Sequence, residues 1–166
     1  VRAPAKDGAA PDEAATAPAL AAWAQRVGRL DELRRRVRDL ALAAFAGAPE
    51  DAVLFIDVHS GDLVDGDLYA LDSALGSIAD RVVLQVRARA FSVEDLDDLC
   101  ARASVLRSIG FRLAIAELDQ GQGSLLQIAK LSPEFVKIGA SFVHNLDTLV
   151  GRRRRVAGLL STCHSV

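Results

Sequence analysis

No apolar run in this chain of 166 residues approaches the roughly 20 that a membrane-spanning helix needs. Helical membrane spans are therefore excluded. No positively charged stretch leading into an apolar segment opens the sequence. Cysteine is scarce. Cys100 and Cys163 stand far apart in helical, apolar surroundings, without the second pair that a zinc framework uses. Both are expected to be buried free thiols rather than a disulfide. An excess of charge of one sign is also missing. Twenty basic residues against 22 acidic leave a net charge of −2, so no global basic field is available for a nucleic acid polymer. Histidine is limited to His59, His144 and His164, with no metal-ligand spacing among them. These absences together point to a soluble protein in a reducing, cytoplasmic setting.

What is present is apolar periodicity. About half of the residues are apolar, enough for a core of one domain. Residues 1–17 are the exception. They are Ala, Pro, Gly, Asp and Thr with almost no large apolar side chain, which reads as a linker or disordered segment. The folded domain is expected over 18–166. Leu30, Leu33, Val37, Leu40, Ala41, Ala44 and Phe45 recur at helical spacing, with Arg34, Arg35, Arg36 and Arg38 mostly off that stripe. Gly28 is placed to divide this region into two helices, and Gly47 and Pro49 to end it.

Apolar runs too short for helices follow at 53–58, 82–86, 113–118 and 135–138. Helix-like segments at about 67–78, 92–109 and 123–131 separate them. Ser92 and Asp95 suit a capping box, and Gly110 suits a left-handed helix end. Two more helices are expected at about 141–150 and 152–163. Strands apolar on both faces, alternating with helices, predict an α/β fold with a parallel sheet covered by helices. Gly121 and Gly123 invite a dinucleotide-binding reading. Leu126 replaces the third glycine of that motif and no βαβ unit opens the chain, so the reading fails.

Residues 110–142 carry a more specific signal. Gly110, Arg112, Ala114, Gly121, Ser124, Leu125, Lys137, Ile138, Ser141 and Phe142 stand in the frame of the EAL domain, which this stretch resembles. EAL domains are bacterial phosphodiesterases for cyclic di-GMP. The resemblance covers roughly 18–165 and implies a partial TIM-type (β/α) barrel of about four parallel strands. The family's opening Glu-Ala-Leu strand has no counterpart in residues 1–17, and its later strands are not in this sequence.

The resemblance also implies where chemistry belongs: at the carboxyl ends of the strands, where two divalent cations, Mg²⁺ or Mn²⁺, would gather oxygen ligands. The corresponding positions here are Asp57, Gln85, Ala88, Ala116, Glu117, Lys137 and Gly139. Gln85 and Ala88 replace glutamates. Ala116 and Gly139 replace aspartates. Asp57 and Glu117 keep a carboxylate, and Lys137 is expected to pair with Glu117. Arg87 is a gained cation. It either fills the emptied metal position with its own charge or presents a fork to a ligand phosphate.

This pattern implies a catalytically inactive module with no cofactor, acting through a protein partner or a second copy in cyclic di-GMP signalling. A non-hydrolysing cyclic di-GMP receptor is the alternative, and an active phosphodiesterase the third reading. The expected interface is the final helical region, through Leu146, Leu149, Val150, Leu159 and Leu160. The basic run Arg152–Arg155 beside it is a solvated face or a rim for an anionic partner.

Overall fold

The computed structural model describes residues 17–59, 61–87, 95–118, 122–144 and 146–165. The expectations for residues 1–16, Ser92 and Ala88 lie outside the described residues. Two compact units divide the chain, Val1–Ala48 and Pro49–Val166.

The first unit is a pair of helices, α1 (Ala17–Arg26) and α2 (Leu30–Phe45). Gly28 separates them as expected, with a left-handed φ of 69° that glycine adopts without a Cβ clash. The apolar stripe on α2 is not a buried face. Val37 and Leu40 are exposed, and Arg38 is the buried residue of that helix. Leu20, Trp23 and Val27 on α1 are exposed too.

The second unit holds a four-stranded parallel sheet in the order β1-β2-β3-β4. The strands are β1 (Leu54–Val58), β2 (Val82–Arg87), β3 (Arg112–Leu118) and β4 (Phe135–Ile138). Each coincides with one of the short apolar runs. Between them run α3 (Leu96–Ile109) and α4 (Gln122–Leu131), followed by α5 (Ala140–Val143) and α6 (Val150–Ser165). A helix was expected at 67–78. That region instead forms short 3₁₀ turns at Asp62–Val64, Gly66–Leu68 and Gly76–Arg81. Asp62, Asp65 and Ser73 explain part of this: each accepts a nearby backbone N–H and so favours turns over a continuous helix.

One sheet face is the core. Ile56, Val58, Leu84, Val86, Leu113 and Ile115 are all buried on it. Leu96, Leu99, Ala103 and Leu106 of α3 add a stripe at three- and four-residue spacing. Gly110 closes α3 with φ 120°, and its N–H reaches the carbonyls of Arg107 and Leu106. The other face differs from the expectation of strands apolar on both sides. It carries Phe55, Asp57, Val83, Gln85, Arg87, Arg112, Ala114, Ala116, Phe135 and Lys137, in which charged and aromatic groups outnumber the buried aliphatic Val83, Ala114 and Ala116. Curling of the sheet makes this its concave side, since Phe55 of β1 and Phe135 of β4 touch across it.

Arg107 ties the helices to β4. Its guanidinium donates to the carbonyls of Leu131 at 2.8 Å and Ser132 at 2.7 Å, which end α4. It also binds the Glu134 carboxylate at 2.9 Å. Glu134 accepts the Leu113 N–H of β3 at 2.8 Å. One arginine thus satisfies helix-end carbonyls and one carboxylate fixes the start of β4 against β3.

Candidate functional site

The register of the parallel strands brings the polar residues of the concave face to the carboxyl end of the sheet. Asp57 pairs with Gln85, and Gln85 with Ala114. Two residues further along β2, Arg87 pairs with Ala116. Because side chains alternate across a strand, these residues share one face. The Gln85 side-chain amide donates a hydrogen bond to Asp57 Oδ1. Gln85 Oε1 is buried without a partner in the structure.

Arg87 stands between the two carboxylates. Its Nη2 lies 3.7 Å from Asp57 Oδ2, and its Nε lies 3.7 Å from Glu117 Oε1. Both distances are ion-pair contacts and too long for hydrogen bonds. The three side chains are about half exposed, so each pair by itself contributes at most about 1 kcal/mol.

Glu117 reaches this face through a backbone irregularity. Its φ is 55°, in the left-handed region that costs a non-glycine residue of order 1–3 kcal/mol. The β3–β4 register shifts between Ile115 and Leu118. Strict alternation would place Ala116 on the concave face and send Glu117 to the helix side. The bulge places the Glu117 carboxylate beside Arg87 instead.

The expected Lys137–Glu117 ion pair is not formed. Lys137 Nζ lies 4.2 Å from the centroid of the Phe55 ring, a cation–π contact. Glu117 takes Arg87 as its partner because the bulge turns it towards β2. Arg112 makes the matching contact on the other ring, 5.6 Å from the Phe135 centroid, and its Nη2 donates to the Asp80 carbonyl at 3.3 Å. Sequence reasoning missed this lattice of two rings and two cations. Its signal was there in the period-two placement of Phe55 and Asp57, and of Phe135 and Lys137.

Ala116 is buried and offers only a methyl group to this face. Gly139 has an ordinary extended backbone and leads into α5. Among the described residues no three His, Cys, Asp or Glu side chains stand close enough to hold a metal ion. A hard cation such as Mg²⁺ takes about six oxygens. Two carboxylates already facing an arginine do not fit a two-metal centre.

Of the expected interface residues, Leu149, Val150 and Leu160 are exposed at 46%, 55% and 44%, and Leu146 is half-buried. Leu159 is buried and faces inward with Val156. In the basic run, Arg152 donates to the His144 carbonyl, and Arg153 and Arg154 are exposed. His59 is half-buried, and its N–H donates to the buried Asp62 at 2.8 Å. Cys100 and Cys163 are free and half-buried. Burial raises the pKa of both thiols. No described helix is long and apolar enough to cross a membrane.

Parallel strands under helices, with the polar side chains of the concave face gathered at the carboxyl ends, define an α/β scaffold of the TIM-barrel kind. The family profile of the EAL domain matches residues 7–166, and the chain belongs to that family. It is similar to the FimX EAL domain from Pseudomonas aeruginosa bound to c-di-GMP. That likeness has a TM-score of 0.73 at 22% identity, over 87% of this chain and 60% of the other. The PaMucR phosphodiesterase in its c-di-GMP complex gives 0.72 at 18% identity, over 87% and 61%. By sequence, the chain is 29% identical over 140 residues to the uncharacterized proteins Mb1389c of Mycobacterium bovis and Rv1354c of Mycobacterium tuberculosis. It covers 22% of their length, aligned over 81% of its own.

Proposed function

We propose that this chain is a non-hydrolysing EAL module in cyclic di-GMP signalling, acting through a protein partner or a second copy of itself. The observation that carries the reading is the Arg87 guanidinium between Asp57 and Glu117. With Gln85 and Ala116 beside it, that end of the sheet offers too few anionic oxygens for two-metal phosphodiester hydrolysis. The exposed Leu149, Val150 and Leu160 supply an apolar surface for association, flanked by Arg153 and Arg154.

The test is incubation of the pure protein with cyclic di-GMP and Mn²⁺ or Mg²⁺, followed by chromatography. The expected result is no linear dinucleotide above a no-protein control. Product that disappears in Asp57→Asn or Glu117→Gln overturns the reading. Light scattering after size exclusion tests self-association, with Leu149→Asp and Leu160→Asp expected to reduce it.

A cyclic di-GMP receptor is the second reading. The half-exposed Arg87 favours it, because a guanidinium held by long ion pairs keeps N–H groups for a phosphate. Nucleotide-dependent thermal stabilisation that Arg87→Ala abolishes would decide for the receptor. Ligand at 100 times its Kd would add about 2.7 kcal/mol.

A further inference from the structure

We propose that Arg87 is a tethered cation that takes over the electrostatic role of a divalent metal at this end of the sheet. Without its charge, Asp57 and Glu117 become a weak site for a divalent cation. The inference rests on the non-hydrolysing reading of the site and assigns the reason for it.

The placement argues for a charge centre. Arg87 ends the strand that lies between those bearing Asp57 and Glu117. It meets each carboxylate through a different nitrogen at the same 3.7 Å. This is how a cation is shared between two anions, and it differs from the paired hydrogen bonds by which a guanidinium grips one carboxylate. The bulge at Glu117 is a second, independent observation. A left-handed glutamate is retained where normal alternation would turn its carboxylate away from Arg87. A third is the neutral partner of Asp57. The Gln85 amide holds Oδ1, while Oδ2 faces Arg87. The register partners of Asp57 and Arg87 are the uncharged Gln85 and Ala116, so among the described residues Arg87 is the cation within ion-pair reach of both carboxylates. Lys137 and Arg112, the other described cations of this face, are engaged on the Phe55 and Phe135 rings.

The experiment measures thermal unfolding and Mn²⁺ binding, the latter by electron paramagnetic resonance, on the whole chain. Wild type is expected to melt at the same temperature in EDTA and in millimolar Mn²⁺, and to leave the Mn²⁺ signal that of the free ion. Arg87→Ala is expected to melt about 2–4 °C lower in EDTA, to regain part of that loss in Mn²⁺, and to bind the ion. Arg87→Lys should behave as wild type. Asp57→Asn added to Arg87→Ala should abolish Mn²⁺ binding. Lys130→Ala, which breaks the exposed Lys130–Asp97 pair, should gain no Mn²⁺ binding. Mn²⁺ uptake by wild type that depends on Asp57 would overturn the inference. So would an Arg87→Ala protein that folds and binds no Mn²⁺. These results are separable from the phosphodiesterase assay, because melting and Mn²⁺ binding are read in the absence of cyclic di-GMP.

Discussion

The Phe55 ring meets the Phe135 ring edge-on, with centroids 5.4 Å apart and planes at 74°, although their strands are the first and last of the sheet. Three strand spacings of about 4.8 Å separate β1 from β4. Contact across that gap needs a sheet that curls and rings that lean inward over it. Each ring also carries a cation, Lys137 on Phe55 and Arg112 on Phe135. The pair therefore links the two edge strands and supports two of the charges on the concave face.

Truncating either ring removes the edge contact, worth about 0.5–1.5 kcal/mol beyond its buried area. Phe135→Ala should cost about 2–4 kcal/mol, less than a fully buried phenylalanine because Phe55 and Phe135 both retain solvent contact. In a double-mutant cycle, Phe55→Ala and Phe135→Ala should couple by at least about 0.5 kcal/mol. Strict additivity in urea titrations would show that the rings do not support one another.

Glu117→Gln should change stability by less than about 1 kcal/mol, since its ion pair with Arg87 is half exposed. The loss should shrink further in high salt. Glu117→Gly should melt at or above the temperature of Glu117→Gln, because glycine relieves the left-handed φ of 55°. A glycine variant clearly less stable than the glutamine variant would mean the bulge is held by something other than backbone freedom.

Glu134 gives an acid dependence. Burial raises its pKa, but the Arg107 hydrogen bond and charge and the Leu113 N–H together hold it below the ordinary 4.5. The folded state therefore binds this proton less readily than the unfolded state. Its stabilisation is present above about pH 4.5 and is lost as pH falls through the lower folded value. Glu134→Gln should reduce stability at neutral pH and flatten the fall in melting temperature below about pH 4.5. An acid profile identical to wild type would remove Glu134 from the account.

Gly76→Ala should destabilise by about 1–3 kcal/mol through overpacking. A Cβ there would lie 2.4 Å from the Ala70 carbonyl oxygen and 2.9 Å from that of Leu71. Both are backbone atoms and cannot rotate away. Gly66→Ala, where a Cβ meets nothing within 4 Å, is the control and should be close to neutral. Equal melting temperatures for the two variants would contradict this packing.

By itself the sequence determined the strands, the parallel α/β class and the family. Short β-branched and aliphatic runs between helical stretches have few alternatives, and Gly28 and Gly110 punctuate helices through their own backbone freedom. It also determined that Gln85, Ala116 and Gly139 hold no carboxylate wherever the fold puts them. The tertiary structure decided the partners. A one-residue bulge at Glu117 exchanged Lys137 for Arg87 as its counter-ion, and no local pattern encodes a register shift. Curling of the sheet brought Phe55 to Phe135 across two intervening strands, a contact between residues 80 positions apart in sequence. Periodicity reports which side of a strand a residue faces. Only the folded geometry reports what stands opposite it.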